Sequence, residues 1–155
     1  MTDIIQLLKE QKQLELSHVE VLGKSIEDLQ HPITRVILES IIYDSNKHAA
    51  IAQALIDVEA GRAPIKLDVD LGPAVSLHQN IKQHVRAEKK MIELLGNIDN
   101  LIEDDRVQAF IDYLVEEEKR HHKLLNELSN LIDRDSVSID EYVGLFQKYM
   151  IVPLE

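Results

Sequence analysis

The sequence predicts an all-α protein: a four-helix bundle of two antiparallel hairpins joined by a long crossover, followed by a short fifth helix. Three observations predict it. Apolar residues recur every three or four positions through four long segments, the period of a helix with one buried face. Turn-forming clusters separate those segments: Gln30-His31-Pro32, Gly61 to Pro73, and Gly96 to Glu103. The composition is that of a helical globular chain, 45% hydrophobic and 29% charged, with five Gly and four Pro in 155 residues.

The first helix runs from about Asp3 to Leu29, with an inward stripe of Ile4, Leu7, Leu8, Gln11, Leu14, His18, Leu22, Ser25 and Leu29. Pro32 suits the first position of a second helix, which runs to about Ala60 through Ile33, Ile37, Ile41, Asp44, His48, Ile51, Leu55 and Val58. The third starts near Pro73 and carries Leu77, Ile81, His84, Glu88, Met91 and Leu95. The fourth runs from about Asp104 to Ile132 through Val107, Phe110, Leu114, Glu117 or Glu118, His121, Leu125, Leu128 and Leu131. Between the second and third, the stretch bracketed by Gly61 and Pro73 has no helical period. Extended at ~3.3 Å per residue it reaches about 45 Å, and a helix of this size is about 42 Å long at ~1.5 Å per residue. It can therefore cross a whole bundle, which implies a crossover at about residues 60–73 rather than up-down-up-down connectivity. In the tail, Tyr142, Leu145, Phe146, Tyr149 and Met150 form one face of a short helix near 138–150. That face is expected to pack across the bundle end or on another subunit. The whole chain reads as one domain, with residues 3–133 as its bundle.

Four histidines fall on these four stripes, each beside an acid: Glu15-Leu-Ser-His18, Asp44-Ser-Asn-Lys-His48, His84-Val-Arg-Ala-Glu88 and Glu118-Lys-Arg-His121. Three or four residues of separation put both side chains on one helical face. Burying so many ionisable groups in one layer is costly without compensation, and a cation bound by imidazole and carboxylate supplies it. His31 sits in a turn, His78 lies well round its helix from His84, and His122 is about 100° from His121. None of these three is needed for the layer.

The two hairpins look like copies. Ser17-His18-Val19 matches Gln83-His84-Val85, and Lys24, Ile26, Glu27 and Leu29 match Lys90, Ile92, Glu93 and Leu95. In the second helices Asp44, Lys47, His48, Ile51 and Leu55 match Glu117, Arg120, His121, Leu124 and Leu128. The repeat pairs His18 with His84 and His48 with His121.

This arrangement resembles the ferritin-like superfamily, especially its rubrerythrin-like members. The resemblance implies two helical hairpins around a di-metal carboxylate site, with a Glu from the first and third helices and Glu-x-x-His from the second and fourth. Glu118-Lys-Arg-His121 fits, and His48 fits with Asp44 in place of the Glu, next to Ser45. His18 and His84 stand where the first and third helices would carry Glu, with Glu15 and Glu88 one turn away. The implied ligands are His18, His48, His84, Glu88, Glu118, His121, Glu15 and Asp44. The implied cofactor is a divalent metal, iron as two ions or one, with zinc as the alternative because extra imidazoles and fewer bridging acids suit a single or softer ion. The implied activity is oxidase or peroxide-reducing chemistry, or iron handling. The alternative is a non-catalytic helical interaction protein whose His/acid layer is a metal-free relic.

The chain has no Cys, which removes thiolate sites and iron–sulfur clusters. A net charge of −11 argues against nucleic acid and anionic membranes as partners. There is no transmembrane run and no signal-peptide pattern, so a cytoplasmic location is expected. Apolar residues beyond one stripe (Ile5, Val36, Ile42, Ile56 and the tail aromatics) predict a homo-oligomer, with a C₂ dimer the commonest form.

Overall fold

The computed structural model describes residues 3–62, 71–132, 134 and 138–151. Among the described residues there are five helices: α1 (Ile4–Ile26), α2 (Pro32–Glu59), α3 (Leu71–Asp99), α4 (Asp105–Ile132) and α5 (Ile139–Tyr149). The all-α architecture with a short C-terminal helix is as the sequence predicts. The chain divides into two compact units, Met1–Pro64 and Ile65–Glu155. The first holds the hairpin α1–α2, the second the hairpin α3–α4 and α5 packed on α4. The segment 63–70, the middle of the expected crossover, lies outside the described residues.

Local chemistry fixes the helix ends. Asp3 caps α1, its carboxylate accepting from the Ile5 amide at 3.0 Å. His31 caps α2 through Nδ1, which accepts from the Thr34 amide at 3.2 Å, and Pro32 follows at the first helical position. So the turn histidine of the sequence has a structural task. α2 stops at a Schellman motif: the Gly61 amide bonds Val58 O and the Arg62 amide bonds Asp57 O, at 3.0 and 2.8 Å. Gly61 has φ +69°, the left-handed conformation a glycine reaches without steric penalty. Asp57 also accepts from the Arg62 guanidinium at 2.8 and 3.1 Å, which holds its carboxyl below the ordinary carboxylate range. Gly96 does not end α3, which continues to Asp99. α5 begins at Ser138, whose amide bonds the Glu141 carboxylate at 3.0 Å.

Both hairpins are antiparallel. In the first, Lys12 pairs with Gln53 and Glu15 with His48. In the second, His78 pairs with Ser129 and Glu88 with His121. Partner numbers fall on one helix as they rise on the other.

The seams inside the hairpins are not the predicted stripes. α2 buries Ser45, Ala49, Ala52 and Ile56, a row at heptad spacing of small residues that lets two backbones approach closely. The facing row of α1 is Ile5, Leu8, Lys12, Glu15, Val19, Leu22 and Ile26, of which Ile26 is fully buried and the rest half-buried. Ile4, Leu7, Leu14, Ile33, Ile37, Ile41 and Leu55, all expected inside, are exposed, Leu14 to 67%. Ile5, Ile42 and Ile56, expected to be spare for association, belong to the seam instead. The reason is geometric. The apolar arc of each helix is wide enough for two heptad rows one residue apart, which differ by about 100° in direction. A two-helix seam uses only one of them.

Candidate functional site

The predicted ligand layer divides between the two units, and each part has its own geometry. In the first hairpin Glu15 and His48 meet, with Oε1 to Nδ1 at 3.4 Å. Gln11 also donates to the Glu15 carboxylate at 3.0 Å. Asp44 does not join them: it is exposed and takes an ion pair from Lys47 at 2.6 Å. His18 is exposed on the α1 face outside the seam. An i, i+3 or i, i+4 spacing puts residues on one face, but it does not decide which face is covered.

In the second hairpin the seam itself contains a polar layer. Glu88 is 1% exposed and falls in the α3 row Ile81, Val85, Glu88, Ile92, Leu95. Around its Oε1 lie His84 Nε2 at 3.6 Å and His121 Nδ1 at 4.0 Å; its Oε2 is buried with no hydrogen-bond partner among the described residues. Burial pushes the Glu88 carboxyl above its ordinary value; His84 pulls it back and the neighbouring Glu118 raises it further. His121 also faces Glu117, Nε2 to Oε2 at 3.7 Å, and Glu117 is shared with Arg120 at 2.5 Å.

One member of this layer is not among the residues the sequence assigns to it, and another is more exposed than expected. His122, set aside as pointing elsewhere, falls in the α4 seam row Ile111, Val115, Glu118, His122, Leu125, Ser129, Ile132. Its Nδ1 is buried without a hydrogen-bond partner among the described residues, and its charge bears on Glu88. His121, chosen as the inward residue, is 47% exposed. The signal was present: the row through His122 keeps heptad spacing from Ile111 to Ile132. His78, also set aside, hydrogen-bonds Ser129 at 3.4 Å.

Glu88, Glu118 and His121 each offer a ligand atom, all within 4.8 Å of one another. That is one carboxylate from α3 and the Glu-x-x-His pair of α4. The α1–α2 hairpin brings together only Glu15 and His48. Among the described residues, neither hairpin by itself holds the carboxylate set of a two-ion centre.

No family model matches the chain, and no solved structure matches it significantly. Two curated proteins do: the dual-action ribosomal maturation protein DarP of Shigella flexneri serotype 5b (strain 8401) and DarP of Shigella flexneri. Each is 27% identical over 132 residues, covering 82% of this chain and 71% of the relative. This likeness overturns the ferritin-like and rubrerythrin-like resemblance, and with it the expectation of an iron-handling or oxidoreductase protein. The motif behind that resemblance, an acid and a histidine one turn apart on an apolar heptad, is short enough to arise on any long amphipathic helix. The exclusion of nucleic acid from the partners falls too, because a ribosome is an RNA–protein particle and net charge says nothing of how charge is distributed. Among the described residues no helix is long and apolar enough to cross a membrane. Over most of its length, the chain is similar to a protein of ribosomal maturation.

Proposed function

We propose that this chain is a non-catalytic helical protein that acts in ribosome maturation by binding ribosomal particles in the cytoplasm. The observation that carries the reading is the 27% identity with DarP, spread over 82% of the chain. The helical hairpins support it as a binding scaffold. Each presents a long outer face with exposed apolar side chains, such as Ile33, Ile37 and Ile41 on α2 and Phe110 and Tyr113 on α4. In this reading the Glu88 layer is structural: histidines and acids compensate one another inside the α3–α4 seam.

Sedimentation tests the proposal. Purified chain, mixed with ribosomal particles from growing cells, is expected to travel with a ribosomal fraction in a sucrose gradient at low salt. A chain that stays at the top of the gradient with every fraction, precursor particles included, would sink it.

A further inference from the structure

We propose that the groove between α3 and α4 binds the phosphate backbone of a structured RNA. The proposal rests on the ribosomal reading above and names the class of partner. The chain carries a net charge of −11, so any contact with a polyanion must be made by a local cluster of cations. Such a cluster exists. A groove of about 250 Å³ is lined by Lys82, Val85, Arg86, Asn126, Ser129 and Asn130. Lys82 and Arg86 stand on its α3 side; Lys89 continues their row at the next heptad step, and Lys119 and Lys123 extend the Asn126–Asn130 row of α4 in the same way. All five cations are exposed.

These cations stand together without close acidic partners, whereas most other described cations are paired. Lys24, Arg35, Lys47, Arg62, Arg106 and Lys148 each sit in an ion pair. Among the described residues Lys82, Arg86, Lys89 and Lys123 form none, and Lys119 has only a long contact to Glu116 at 3.5 Å. Glu127, next to Asn126 on α4, is already held by Lys148 and Tyr149 of α5. The row therefore presents uncompensated charge on an acidic protein. Exposed amides at Asn126 and Asn130 add neutral donors for phosphate or 2′-hydroxyl oxygens.

The groove also says which form of RNA fits. Its lining has no aromatic side chain on which an unpaired base could stack. The nearby Tyr149 is buried and bonded to Glu127. Cations and amides without stacking platforms suit recognition of a duplex by its backbone and shape, with little sequence preference.

The test uses full-length chain with a 20-base-pair RNA duplex and, separately, with ribosomal particles. Wild type is expected to bind the duplex with a logarithmic salt slope of about −3. Lys82→Ala/Arg86→Ala should weaken it at least tenfold and flatten the slope by about 2. Lys9→Ala/Lys24→Ala, with the same loss of charge on α1, should bind as wild type; circular dichroism confirms that each variant is folded. Equal weakening by both double variants, or tighter binding to the single-stranded 20-mer, would overturn the proposal. So would a groove variant that loses the particles when wild type never binds the duplex, since the groove would then take an acidic protein. Particle binding that survives Lys82→Ala/Arg86→Ala overturns the groove and leaves the ribosomal reading standing. Duplex binding that needs the groove while particles are ignored does the reverse.

Discussion

The hairpins α1–α2 and α3–α4 share a heptad seam and fill it with different chemistry. The first closes on Ser45, Ala49, Ala52 and Ile56 of α2, small or apolar side chains, with Lys12 and Glu15 only half-buried in the facing row of α1. At the same depth in the second lies Glu88, with Glu118 and His122 in the facing row. One seam draws its stability from close approach and excluded water. The other accepts a buried carboxyl and surrounds it with imidazoles. The outer faces differ too: α1–α2 pairs Lys24, Arg35 and Lys47 locally, whereas, among the described residues, α3–α4 leaves Lys82, Arg86, Lys89 and Lys123 together without acidic partners. The difference teaches that one fold element repeated along a chain can specialise without changing its geometry.

Mutations can break that contrast. The largest effect is expected at Ile56, 3% exposed in the first seam. Ile56→Ala should cost about 2–5 kcal/mol by cavity formation, read as a shift of the denaturant midpoint. A shift of a few tenths would mean that the seam is not what holds α1 to α2. Next is Ala49→Leu, which should cost about 1–3 kcal/mol because the close backbones leave no room for the added carbons. A neutral result would show a looser hairpin.

The second seam should answer to pH through Glu88. The folded-state value of Glu88 is raised from 4.5, so the native state holds its proton more tightly than the unfolded chain does. That contribution is fully present below about 4.5 and is lost as pH rises through the raised value. Wild type should therefore lose stability across that window relative to Glu88→Gln, compared by thermal midpoint at each pH. Parallel curves would remove Glu88 from the account.

Smaller again is Gly61→Ala. Nothing lies within 4 Å of an added methyl group, so the cost is the backbone's alone, about 1 kcal/mol for a left-handed alanine. Least of all is Lys24→Ala, which removes an exposed pair with Glu20 and should leave the midpoint unchanged.

Much of this fold was legible because its punctuation is local. Asp3, Pro32, Gly61 and Ser138 mark helix ends through caps and turns that depend on a few neighbouring residues. The direction of each buried face was not legible. Ile4 and Ile5, Leu7 and Leu8, Ile41 and Ile42, Leu55 and Ile56 are adjacent apolar pairs, and periodicity alone cannot choose between their two rows. The same ambiguity left His122, whose Nδ1 is buried, outside the predicted layer. The similarity to a ribosomal maturation protein is 27% identity over 132 residues, while the histidine–acid motifs pointed to a different superfamily.

The attachment of α5 has a consequence in time. The helix is held to α4 by two buried side chains, Leu145 and Tyr149, and by Glu127, which accepts from Lys148 at 2.6 Å and from the Tyr149 hydroxyl. Those donors keep the Glu127 carboxyl below its ordinary value, so the clamp persists above the carboxylate range and slackens as acid protonates it. An eleven-residue helix resting on so few anchors opens far more often than the long hairpin beneath it. Its amide hydrogens should trade with solvent first, and Leu145 and Tyr149 would then be uncovered before the rest of the molecule has moved.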